Sequence, residues 1–280
     1  MKTAIQTIQP EVEIKELTCS APVRRSISDL LAPVERLAAE SPNLIVRRQA
    51  RFDVGGESYF IPRIDFIGPK SGDTPTRLGI FAGIHGDEPE SVHAAIRFIR
   101  FLEHYPELAA GYCLSFYPLC NPTGFEDNTR HSRRGKDLNR EFWSNSAEPE
   151  VLLLEKELDL GAFDGIVSLH IDDTSDGFYG IVGGATLTRN LIAPALKAAD
   201  QFLPLDKRAQ IDGFPALDSV LREPYAGVLR ARPGIRLRPF EITLEAPQQS
   251  PAYLIEWSFV AALEAILSQY RAFIAYARNV

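Results

Sequence analysis

The sequence predicts an α/β fold: a three-layer α/β/α sandwich with a mixed, largely parallel central sheet. Three observations carry this. Near-continuous apolar runs at 78–84, 112–119 and 163–169 have the character of strands covered on both faces. Stretches with the periodicity of helices stand between and after them. A chain of 280 residues, 45% hydrophobic and 24% charged, can build such a core without disulfide staples.

Residues 1–25 have no readable period. Ser26–Glu40 carries apolar residues at helical spacing, and Pro33 is expected to kink or break that helix. Leu44–Arg51 and Ser58–Gly68 are candidate strands joined by a turn at Gly55-Gly56. A loop at 70–76 leads into the apolar run at 78–84. Pro89–His104 follows as a helix, with proline at the first position, where its missing N–H costs nothing, and Val92, Ala95, Ile96, Ile99 and Leu102 as the inner stripe.

The strand Tyr112–Leu119 stops at Asn121-Pro122-Thr123-Gly124. From there to about Glu148 the chain is polar, Arg-rich and mostly without period, and a loop of that length inside a compact domain is usually functional or disordered. Glu150–Leu160 reads as a short helix, Phe163–Leu169 as a strand and Thr186–Phe202 as a helix. The segment 203–235, rich in Pro, Gly and charge, yields no assignment. Arg236–Leu244 alternates as a strand and ends at Glu245-Ala246-Pro247, and Pro251–Arg278 is a long amphipathic helix. The reading divides the chain into an N-terminal extension, 1–40, packed on a catalytic domain, 41–280.

Composition narrows the function classes. Net charge is −7 and no basic patch alternates with aromatics, which argues against nucleic acid as a partner. No apolar run is long enough to span a membrane. The first fifteen residues lack the apolar centre of a signal peptide, so the expected location is cytoplasmic. Cys113 and Cys120 flank an apolar segment and read as buried thiols of a reducing compartment, while Cys19 is uninformative. The oligomeric state is not legible.

The chemistry concentrates at strand ends. The run at 78–84 ends in His85, and Glu88 follows three residues later. The run at 163–169 ends in His170, with Asp172 and Asp173 close enough in sequence to orient it. The strand after 236 delivers Glu245. A largely parallel sheet brings such ends together in space. Two imidazoles and one carboxylate are the ligand set of a catalytic zinc with an open fourth position. Such a metal lowers the pKa of water and polarises a carbonyl, and a further carboxylate must then move the proton. Glu245 is the candidate. Of the other histidines, His93 lies inside the helix after the turn, His104 sits near that helix's C-terminal end, and His131 lies among arginines near enough to touch a substrate.

His85-Gly86-Asp87-Glu88, Asn121-Pro122-x-Gly124, Asp137-Leu138-Asn139-Arg140, the strand-terminal His170 and Thr243-Leu244-Glu245-x-Pro247 together resemble the zinc carboxypeptidase (carboxypeptidase A-like) family and its relatives, succinylglutamate desuccinylase and aspartoacylase. The order and spacing agree across about residues 78–250. The resemblance implies one Zn²⁺ ion held by His85, Glu88 and His170. It implies Glu245 as the base that activates the zinc-bound water and then as the acid. Asn139 and Arg140 would hold the substrate's terminal carboxylate, a task suited to the bidentate fork of Arg. An arginine of the preceding loop would steady the oxyanion. Arg130 is favoured there, with Arg134 second, and Arg133 is as well explained as a solvated loop residue. Tyr225, or else Tyr253, stands near the place of that family's mobile tyrosine. Arg230 falls near its side-chain-selecting position, where an arginine favours an acidic side chain.

The function so implied is hydrolysis of an amide bond next to a free carboxylate in a small peptide. The alternatives are deacylation of an N-acyl amino acid by the same machinery, and a non-catalytic binding module of the same fold.

Overall fold

A ten-stranded mixed sheet runs through the computed structural model, which describes residues 24–222 and 225–277. Cys19, the other expectations for residues 1–23, and Arg278 lie outside the described residues. Four strands form the parallel centre: β3 (Thr76–Ala82), β4 (Tyr112–Tyr117), β5 (Gly165–Asp172) and β10 (Phe240–Pro247), in the order β4-β3-β5-β10. On one flank the hairpin of β1 (Leu44–Val54) and β2 (Glu57–Ile67) joins β4 antiparallel. On the other lie β6 (Tyr179–Val182), then β9 (Val220–Leu221), β8 (Phe214–Leu217) and β7 (Gln210–Ile211), with β6 antiparallel to β10. The parallel part is therefore the core of the sheet, and the antiparallel pairs lie mainly at its margins.

Helices cover both faces. The larger core packs α1 (Ile27–Glu40), α2 (Pro89–His104), α6 (Ala193–Ala199) and α7 (Ala252–Ala277) on one side. The smaller core packs α4 (Pro149–Gly161) on the other, around Phe81, Tyr117 and Phe163. Strand side chains alternate between faces. In β5, Val167, Leu169 and Ile171 enter the larger core; in β10, Ile242, Leu244 and Ala246 do so. The intervening residues, His170 and Glu245 among them, are thereby turned to the opposite face.

The helix α1 begins where Ser26 caps it by accepting the Asp29 N–H at 3.1 Å. It runs unbroken through Pro33. Pro33 and Asp29, whose carbonyl loses its partner, are both exposed, so water can replace the missing bond. The stretch from Ala185 reaches only Ala199, through α5 (Ala185–Leu187) and a π-helical turn at Thr188–Ile192. Cys113 is half-buried rather than buried, on the strand face opposite Tyr112 and Leu114.

Two strand boundaries move in the same direction. His170 and Glu245 lie inside β5 and β10, not just beyond them, because the parallel pairing continues to Pro247 opposite Asp172. The expected strand start at Arg236 fails: Leu237 has φ +56° and Pro239 has no N–H to offer, so β10 begins at Phe240. Within 203–235 the chain forms two tight hairpins. Asp212-Gly213 and Asp218-Ser219 supply the positive φ that two-residue turns need.

Candidate metal centre

His85 stands on the turn between β3 and α2, and Glu88 is the residue that enters α2, followed by Pro89 at its first position. The turn is set by close packing. A Cβ on Gly86 would lie 1.9 Å from the Gly124 carbonyl carbon, so the His-Gly-Asp-Glu turn sits directly on the backbone of the Asn-Pro-x-Gly segment. That segment is α3 (Pro122–Asp127), which Asn121 caps by accepting the Gly124 N–H at 2.8 Å. The Asn121 amide also donates to the Ile84 carbonyl at 3.3 Å and the Arg130 carbonyl at 3.4 Å. One side chain thus ties together the two turns that carry His85 and Arg130.

One ligand atom from each of His85, Glu88 and His170 falls within 4.8 Å of the others, and all three residues are buried. The imidazole centroids are 5.0 Å apart. Glu88 faces both rings: Oε1 contacts His85 Nδ1, and Oε2 lies 3.2 Å from His170 Nδ1. Oε2 also accepts the Ile171 N–H at 3.0 Å, which fixes the carboxylate against β5. Burial raises the Glu88 pKa, but the two imidazoles outweigh it and hold it at about 2. Burial lowers His85, yet Glu88 and Asp137 raise it to about 9. His170 is lowered, chiefly by burial. Two nitrogens and a carboxylate oxygen at this spacing are a donor set suited to a divalent transition metal.

Glu245 is the in-register neighbour of His170 on the adjacent parallel strand. It is half-buried, and its pKa is raised well above the ordinary carboxylate value by burial and by the charges of Glu88, Asp172 and Asp212. Its neighbour on the other side is Tyr179, whose hydroxyl donates to Asp172 Oδ2 at 3.0 Å. Asp172 is committed there and to Thr174, not to His170, and Asp173 is exposed, so neither orients that imidazole. The contact on the outer nitrogen of His170 comes from Asn139, whose Nδ2 lies 3.5 Å from Nε2.

Asp137 is the residue that sequence reasoning quoted without a role. Its Oδ1 lies 3.2 Å from His85 Nε2, and its Oδ2 accepts two bonds of 3.2 Å from the Arg130 guanidinium. A carboxylate on the far nitrogen of a metal-binding histidine is a recurrent arrangement. The one available signal was its place in the Asp-Leu-Asn-Arg element. Arg130 also approaches Glu88 Oε1, at 3.8 Å. Asn139 accepts the Leu229 N–H at 2.9 Å and so tethers the 225–230 loop to the centre.

Arg140 is exposed and lies over the Tyr225 ring at 4.3 Å; Tyr225 in turn donates to Asp212 Oδ2 at 3.3 Å. Arg134 is not brought to the cluster, for its guanidinium bonds the Ala147 carbonyl at 3.1 Å. Arg133 is not a solvated loop residue either. It is gripped by Glu57, Glu126 and Asp127, with bonds of 2.6–2.9 Å, and lies over the Tyr59 ring. Tyr253 is exposed on α7.

Known proteins share this fold. Residues 75–160 match the succinylglutamate desuccinylase/aspartoacylase catalytic domain. A candidate metallopeptidase from Shewanella denitrificans superposes with a TM-score of 0.70 at 25% identity, over 86% of this chain and 90% of that one. A metallo-carboxypeptidase from Burkholderia cenocepacia gives 0.65 at 19% identity, over 88% and 68%. One from Pseudomonas aeruginosa gives 0.57 at 19%, over 88% and 70%. The curated proteins contain no significant match. Among the described residues no helix is long and apolar enough to cross a membrane. The chain has the carboxypeptidase fold, and over residues 75–160 it is similar to the succinylglutamate desuccinylase/aspartoacylase catalytic domains.

Proposed function

We propose that the protein is a zinc-dependent hydrolase that cleaves an amide bond next to a free carboxylate in a small peptide. The convergence of His85, Glu88 and His170, with Glu245 in register beside His170, carries this reading. Bound there, zinc would polarise the scissile carbonyl and acidify the attacking water. Glu245 takes the proton from that water and delivers it to the leaving nitrogen. Its raised pKa suits both halves of the task, since a group poised nearer neutrality is a better shuttle. Arg130, held by Asp137 beside Glu88, donates to the oxygen on which charge develops.

Arg140, on the exposed side of the Asp-Leu-Asn-Arg turn, pairs with the substrate carboxylate, and Asn139 steadies the turn beneath it. Tyr225 lies beneath the Arg140 guanidinium and closes that side. The Pseudomonas aeruginosa relative was solved with (2-guanidinoethylmercapto)succinic acid, a dicarboxylate, which fits a site of this kind. A cavity of about 640 Å³ reaches Thr243, two residues before Glu245 on the same strand face, and Arg230 lines it. Its charged lining is mixed, Arg230 and Arg238 standing with Asp164 and Glu241, and it is a candidate seat for the substrate's side chain.

The match over residues 75–160 favours a second reading, deacylation of an N-acyl amino acid by the same residues. A screen of short peptides against acyl-amino acids, on protein of measured zinc content, separates the two. The peptidase reading expects turnover of peptides that a chelator abolishes and zinc restores. Turnover of acyl-amino acids alone would replace it with the deacylase. Undiminished turnover in protein stripped of metal would sink both.

A further inference from the structure

We infer that Arg25, from the segment ahead of α1, is a positioning residue of the metal centre. The inference rests on the metal-site reading given above. The Arg25 guanidinium donates to the carbonyl of Gly86 at 3.0 Å. Gly86 lies between two of the three proposed ligands, next to His85 and two residues before Glu88. The same guanidinium lies over the Phe125 ring, 5.3 Å from its centroid. The Arg25 backbone N–H donates to the Glu126 carbonyl at 2.9 Å. Arg25 is therefore fastened to α3 and reaches from there onto the turn.

Other bonds hold the turn on either side of Gly86, from Asn121 to the Ile84 carbonyl at 3.3 Å and from the Ser91 hydroxyl to the Glu88 carbonyl at 2.8 Å, and Arg25 acts between them. The turn's own closing bond, from the Glu88 N–H to the His85 carbonyl, is long at 3.4 Å. Gly86 rests against the Gly124 backbone, where the absence of a side chain allows close approach but supplies no polar grip. A charge-assisted bond to the Gly86 carbonyl fixes the peptide plane that sets His85 and Glu88 relative to each other. The neighbouring Arg24 does something different. It pairs with Glu57 at 3.0 Å and Asp127 at 3.3 Å, on the carboxylates that also hold Arg133, and has no bond to the turn. The extension thus divides its work: Arg24 anchors it to the surface, and Arg25 supports the ligands.

The test uses the full chain, stripped of metal, with zinc affinity read by competition against a chromophoric chelator. Arg25→Ala should weaken zinc binding by tenfold or more, roughly the loss usual for a partner of metal ligands. Its kcat should fall with KM little changed, and the Tm of the metal-free protein should stay within about 2 °C of wild type. Arg25→Lys, which keeps a cationic donor, should recover part of the affinity. Arg24→Ala should bind zinc as wild type does. Wild-type affinity in Arg25→Ala would overturn the inference, as would an equal loss in Arg24→Ala or a loss matched by a fall in the metal-free Tm. A wild-type chain that binds no zinc would overturn the metal-site reading along with it.

Discussion

The role proposed for Glu245 can be tested apart from the proposed metal. Glu245→Gln keeps the size and burial of the side chain and removes only its basicity. Turnover should drop by about 10²–10⁴-fold with zinc content unchanged. The pH dependence follows from the raised pKa. A base must be ionised to work, so in the proposed role kcat/KM should fall as pH drops through a value above 4.5, and an acid limb at or below 4.5 would contradict the assignment. His85 makes a separate claim. Near pH 7 in the metal-free protein Glu88 and Asp137, which raise its pKa to about 9, keep a proton on the imidazole that zinc bound there would have to displace. Apparent zinc affinity should therefore rise by about tenfold per pH unit from 7 and level off near 9. A flat profile over that range would show that the proton is not held there.

Among the elements, the turn from β3 into α2 is the one on which the site depends. Gly86→Ala would drive a methyl to 1.9 Å from the Gly124 carbonyl carbon, and backbone cannot step aside as a flexible side chain can. The expected result is a loss of stability of about 1–3 kcal/mol and of tight zinc binding, measured by urea denaturation and metal titration. The sequence marked this turn well, since an apolar run, a histidine and a proline at a helix start are local signals. It marked Arg133 and Arg134 poorly. Arginines in one loop look alike in sequence, yet one is gripped by Glu57 from a distant hairpin and the other folds back onto Ala147. The hairpin at Asp212-Gly213 was legible in principle, through a dipeptide suited to two positive φ values. The charge and proline around it masked a run too short to show alternation.

At the scale of the molecule, the sheet separates stability from chemistry by parity. Leu244 is fully buried against α7 and its neighbours, while Glu245, the next residue, faces the site. Leu244→Ala should cost about 2–5 kcal/mol in unfolding free energy, read by urea denaturation, with zinc affinity and KM of the folded protein close to wild type. Periodicity, strand-terminal histidines and the order of short polar elements were enough to determine an α/β sandwich and the residues that meet at its parallel centre. Those signals are local, or are carried by strands whose adjacency a parallel sheet enforces. Tertiary structure alone decided that Asp137 backs His85, that Asp172 turns to Tyr179, and that Arg25 reaches the Gly86 carbonyl. Each of these depends on where a flexible polar side chain finds a partner many residues away, and hydrogen bonds of that kind leave no period in the chain.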